Sequence, residues 1–92
     1  MLNEYRKWLI NKGYAVMVNH KPSTVYDYCR ALKRILHYEN ITIEQLAENI
    51  ADICPLYQKG NLHEVRGKEI SRSCRNSLKQ FNKFVLENQV AA

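Results

Sequence analysis

Ninety-two residues make one domain with a single modest core and little surface to spare for a deep cleft. At 46% apolar and 25% charged the composition excludes a disordered chain, and two prolines with three glycines argue against a turn-rich all-β fold. Fourteen Lys+Arg against nine Asp+Glu leave a net charge of +5 and a pI near 9.2, a first pointer to an anionic partner.

The first predicted helix covers Leu2 to about Lys12, with Leu2, Tyr5, Trp8 and Leu9 on one face and Gly13 placed to end it. In the stretch from Gly13 to Lys21, Tyr14, Val16 and Val18 alternate with smaller or more flexible residues, which allows a short extended piece or a packed loop; it is read as a loop. A second helix starts near Pro22-Ser23-Thr24, with the proline in the first turn and a hydroxyl as cap. Val25, Tyr28, Cys29, Leu32, Ile35 and Leu36 form its apolar stripe, and Asn40 closes it. Opposite that stripe lie Tyr26, Arg30, Lys33, Arg34 and His37, with Asp27 as the one acid, at the edge.

Thr42 and Gln45 have capping-box spacing and open a third helix on Ile43, Leu46, Ala47, Ile50 and Ile53, which Pro55 ends or kinks. Its acids Glu44, Glu48 and Asp52 read as a solvated outer face. A loop from Gln58 to Gly67 leads to a fourth helix from Lys68 to about Asn88. Ile70, Cys74, Leu78, Phe81, Phe84 and Val85 make its core face. Lys68, Arg72, Arg75, Lys79 and Lys83 fall within a narrow arc on the other side. The expected fold is an all-α bundle of four helices in one domain spanning residues 1–92.

Charge is polarised along the chain. Residues 39–57 hold four acids and no Lys or Arg, which leaves five acids beside all fourteen cations elsewhere. Ordinary surface helices mix signs and gain from Glu–Lys pairs at i, i+4. Rows of cations repel one another, so a polyanion is a sensible reason to carry them.

Enzyme chemistry is not suggested. The histidines at 20, 37 and 63 lack metal-ligand spacing, no phosphate-cradling glycine loop or catalytic carboxylate pair occurs, and no metal or cofactor is expected. Cys29, Cys54 and Cys74 are far apart and odd in number, which fits free thiols and a reducing, intracellular setting. The N-terminus scatters charge through its apolar residues, unlike a signal peptide, and no run is long enough to cross a membrane.

KPSTVYDYCRALKRIL (21–36), followed by RSCRNSLKQFNKFVLE (72–87), resembles the N-terminal core-binding domain of tyrosine recombinases, the phage-integrase family. The matching positions are Pro22, Ser23, Thr24, Val25, Tyr28, Leu32, Ile35 and Leu36, then Arg75, Leu78, Phe81 and Phe84; Tyr5 to Leu9, closed by Gly13, is similar to the family's opening helix. Lys21 stands where many members have a serine cap, the loop after Tyr14 is longer, and Pro55 to Gly67 is atypical.

The resemblance implies a SAM-like orthogonal bundle that clamps double-stranded DNA with its second and fourth helices. The family's catalytic residues would lie in a separate, larger domain of the parent recombinase, so none of the tyrosines here is nominated as a nucleophile. It also implies neighbouring protomers on the DNA and a cytoplasmic place, on the nucleoid or in a phage host. The expected DNA-binding residues are Lys21, Ser23, Thr24, Tyr26, Arg30, Lys33, Arg34, Lys68, Arg72, Arg75, Lys79 and Lys83. Lys21, Ser23 and Thr24 sit where a helix N-terminus would receive a phosphate. The alternative is a small helical adaptor whose basic face binds an acidic partner or the acidic third helix of another copy.

Overall fold

The computed structural model describes residues 1–14, 17–19, 21–58, 60 and 73–91, leaving aside the side chains of residues 21, 22 and 89–91. Among them are four helices: α1 Leu2–Asn11, α2 Thr24–Glu39, α3 Ile43–Leu56 and α4 Cys74–Ala91. α4 is the spine, packing against each of the other three, and α1 also packs on α2. The Cα radius of gyration is 12.8 Å, as expected for a compact chain of this length.

The helix ends follow from local chemistry. Gly13 takes φ +94°, which lets its N–H reach Ile10 O (3.0 Å) while Tyr14 N–H reaches Leu9 O (3.1 Å). That pair of bonds is a Schellman closure. Asn40 adopts the left-handed φ 56°, ψ 48° and ends α2 in the same way, with Asn40 N–H on His37 O and Ile41 N–H on Leu36 O. At the start of α3 the capping box forms in full, with Gln45 N–H donating to Thr42 Oγ1 and Thr42 N–H to Gln45 Oε1. Pro55 sits one residue before the last of α3, close enough to the C-terminus that the missing N–H and the ring clash end the helix without breaking it.

Two expectations change. The segment expected as a loop contains a small antiparallel ribbon, β1 Met17–Val18 paired with β2 Lys21–Pro22 in the register Met17↔Pro22 and Val18↔Lys21. A two-residue connection favours positive φ, which Asn19 supplies at 51°. Pro22 therefore lies in a ribbon strand and not in a helical turn; α2 begins after Ser23, whose extended backbone is the N-cap and whose side chain makes no capping bond. The fourth helix was expected from Lys68 but starts at Cys74, its first bond running from Ser77 N–H to Ser73 O at 2.8 Å. Lys68, Ile70 and Arg72 lie outside the described residues.

The core is one cluster drawn from all four helices, with Tyr5, Leu9, Leu32, Ile35, Leu46, Leu78 and Phe81 fully buried. Tyr5 meets Phe81 edge-on at 5.3 Å and Phe84 at 5.6 Å, geometries that favour ring quadrupoles. Two polar links cross the core. Tyr5 Oη donates to Ser77 O at 3.0 Å, and the buried Ser77 Oγ donates to Tyr28 O at 2.7 Å, tying α1, α4 and α2 together. Tyr57 Oη donates to the Glu39 carboxylate and fastens the end of α3 to the end of α2.

Candidate nucleic-acid interface

Because Val25, Leu32 and Ile35 turn inward, the opposite side of α2 must face solvent. Tyr26 is 48% exposed and Tyr38 54%, and Arg30, Lys33, Arg34 and His37 are exposed between them. Arg30, Lys33, Arg34, His37 and Tyr38 line one shallow depression. Arg30 and Arg34, like Lys33 and His37, stand four residues apart with no acid interposed on that side. Arg30 and Lys33 make no ion pair among the described residues. Ser23 and Thr24 at the head of α2 are half-buried.

Of the second row, Lys68 and Arg72 lie outside the described residues. Arg75, Lys79 and Lys83 are exposed at steps of four, on the side away from Cys74, Leu78, Phe81 and Val85.

The two rows have different neighbours. Lys33 of α2 and Arg6 of α1 line one pocket beside Cys29, whereas α4 packs against α3. The α2 row thus continues onto α1, and the α4 row borders α3. Arg6 was not among the expected binding residues. In sequence it stands amid mixed charges, Glu4, Lys7 and Lys12, with no row to mark it.

The acids gather elsewhere. Glu4, Glu44 and Glu48, with Met1 and Asn88, rim a groove floored by Ala47, Phe84 and Val85, where α1, α3 and α4 meet. Glu87 is also held, accepting from Trp8 Nε1 and from Lys12 Nζ (2.9 Å). The Trp8 hydrogen bond, then the Lys12 one, keep its carboxyl below the usual range.

Burial pushes the Cys74 thiol up to about 12 and raises Cys54 and Cys29 as well. All three are therefore protonated near neutrality, whereas the thiolate is the nucleophilic form. Among the described residues no group of three His, Cys, Asp or Glu is placed to hold a metal, and no helix is long and apolar enough to cross a membrane. Compared with family models, curated proteins and solved structures, the chain matches none.

Proposed function

We propose that this chain is a duplex-DNA-binding module that lays the solvent face of α2 along a phosphate backbone, with no catalytic centre of its own. One observation supports the reading above others: Arg30, Lys33, Arg34 and His37 share an exposed face, flanked by exposed Tyr26 and Tyr38. At ~1.5 Å per residue, Arg30 to His37 covers about 10 Å, the rise of roughly three nucleotides measured along the duplex axis. Arg75, Lys79 and Lys83 supply a second run from α4. The sequence resemblance carries the proposal one step further, to an orthogonal SAM-like core-binding domain of a tyrosine recombinase. In that setting the catalytic domain of the parent protein and neighbouring protomers are its further partners, on DNA in the cytoplasm.

Most contacts of this kind position a protein and do not read sequence. Neutralising about five phosphates gives a log–log salt slope near −4.5. The test is fluorescence anisotropy of a labelled 20-base-pair duplex over a salt series. The triple variant Arg30→Ala/Lys33→Ala/Arg34→Ala is expected to make the slope shallower by about 2.7 and to weaken binding at least a hundredfold. Unchanged affinity would end the proposal. The matching α4 variant, Arg75→Ala/Lys79→Ala/Lys83→Ala, measures the second run separately.

The acid-rimmed groove between α1, α3 and α4 favours one other reading, an adaptor that associates head to tail through its own opposite charges. Sizing without DNA separates the two. Oligomers that dissolve in high salt support the adaptor, and a monomer that shifts duplex on a gel supports the DNA module.

A further inference from the structure

A second pocket lies at the seam of α1 and α2, beside the ribbon. Leu2, Asn3 and Arg6 of α1 line it, with Met17 of β1 and Val25, Tyr26, Cys29 and Lys33 of α2. Among the described residues its lining holds two cations and no acid. Arg6 and Lys33 come from different helices, yet both line this one pocket together with Cys29. Neither makes an ion pair among the described residues. Beside them the walls are apolar or aromatic: buried Val25, and Met17 and Tyr26 at 53% and 48% exposure.

That arrangement asks for an anion attached to a flat apolar body. Two converging cations suit a phosphate, and a half-exposed tyrosine ring with a polarisable thioether suits the face of a base or a sugar. We infer that the α1–α2 pocket takes one nucleoside phosphate, the phosphate between Arg6 and Lys33 and the sugar against Tyr26 and Met17. The inference rests on the DNA reading for its source, one nucleotide of the bound strand, and it carries the DNA face from α2 onto α1.

Cys29 reports on the pocket directly. Its thiol is half-buried in the lining, whereas Cys54 and Cys74 are buried in the core and serve as internal checks on folding. Iodoacetamide alkylation of each cysteine is followed by mass spectrometry with no ligand, with a 20-base-pair duplex, and with a 5′-mononucleotide. Duplex affinity is measured in parallel for the native chain and for Arg6→Ala.

The expected result is that duplex slows alkylation of Cys29 at least fivefold while Cys54 and Cys74 stay slow throughout. Arg6→Ala should weaken duplex binding roughly tenfold and make the salt slope shallower by about 0.9. If duplex binds but Cys29 reacts at its free rate, or Arg6→Ala binds like the native chain, the pocket is wrong and the DNA reading survives. If duplex does not bind but the mononucleotide protects Cys29, the pocket stands as a site for a free nucleotide and the DNA reading falls. If neither protects and duplex does not bind, both fall.

Discussion

Replacing Ser77 with alanine removes a hydroxyl that crosses from α4 to α2. Ser77 is fully buried, and its Oγ sits 2.7 Å from Tyr28 O, a short and well-made bond for two neutral groups. The Tyr28 carbonyl lies mid-helix and keeps its own α2 partner, so no fully orphaned acceptor is left behind. Only one oxygen of volume is lost, and the cavity contribution is small. What remains is the net worth of one buried hydrogen bond, about 1 kcal/mol. For a domain of this size that lowers Tm by roughly 4–8 °C. With an m-value near 2 kcal/mol/M it moves the urea midpoint by about 0.5 M.

Tyr5→Phe removes the neighbouring bond to Ser77 O and should cost about the same. Tyr5 Oη also lies 3.4 Å from Ser77 Oγ, so the two changes act on one network. The double variant should therefore fall short of additivity by about 0.5 kcal/mol or more. Urea titration followed by far-UV circular dichroism reads all four proteins. A Ser77→Ala midpoint within about 0.1 M of the native one would show that apolar packing alone orients α4 on α2, and the reasoning would be refuted.

Raising the pH should destabilise the fold from about pH 9 upward. The Cys74 thiol titrates near 9 when unfolded but about 12 when buried. Between those values the unfolded chain binds fewer protons, and stability falls by as much as about 1.4 kcal/mol per pH unit from this group alone. Burial raises Tyr5 too, with the same sign, and urea midpoints from pH 8 to 11 check it. On the acid side, Trp8 is the sole tryptophan and donates to Glu87. Glu87 is held below its ordinary 4.5, so its contribution is present above 4.5 and lost as pH falls through the lower folded value. Trp8 fluorescence should titrate with a midpoint below 4.5, and Glu87→Gln should flatten that titration. Asn40→Val, at φ 56°, should cost about 1–2 kcal/mol because a β-branched residue resists the left-handed region, whereas Asn40→Gly should be tolerated; thermal melts distinguish them.

Features decided within four or five residues were legible in the sequence. Gly13, Asn40 and the Thr42–Gln45 box ended or began helices where their chemistry required, and the apolar periods of α1, α2 and α3 named most of the core. The ribbon was legible only as an alternative to a loop, because strands of two residues leave almost no period to read. The expected start of the last helix at Lys68 lies outside the described residues; within them α4 runs from Cys74, with Ser77 N–H on Ser73 O. Ser77 falls on the core arc of α4 beside Cys74 and Phe81, so the period did carry that signal, although a hydroxyl is ordinarily assigned to the surface. Arg6 could not be found by pattern at all, since what singles it out is Lys33 across the seam, a partner 27 positions away.

Tyr14 is fixed from two directions, by its N–H on Leu9 O and by its ring against Tyr28 at 5.7 Å, and Ser23, the N-cap of α2, is held by Asp27 N–H on its carbonyl. The stretch between them is thus a graft point, stapled at one border to α1 and α2 and at the other to α2. Residues inserted at the ribbon tip would lengthen an appendage without re-registering the bundle beneath it. A lineage could then remodel whatever this appendage touches while leaving its scaffold untouched.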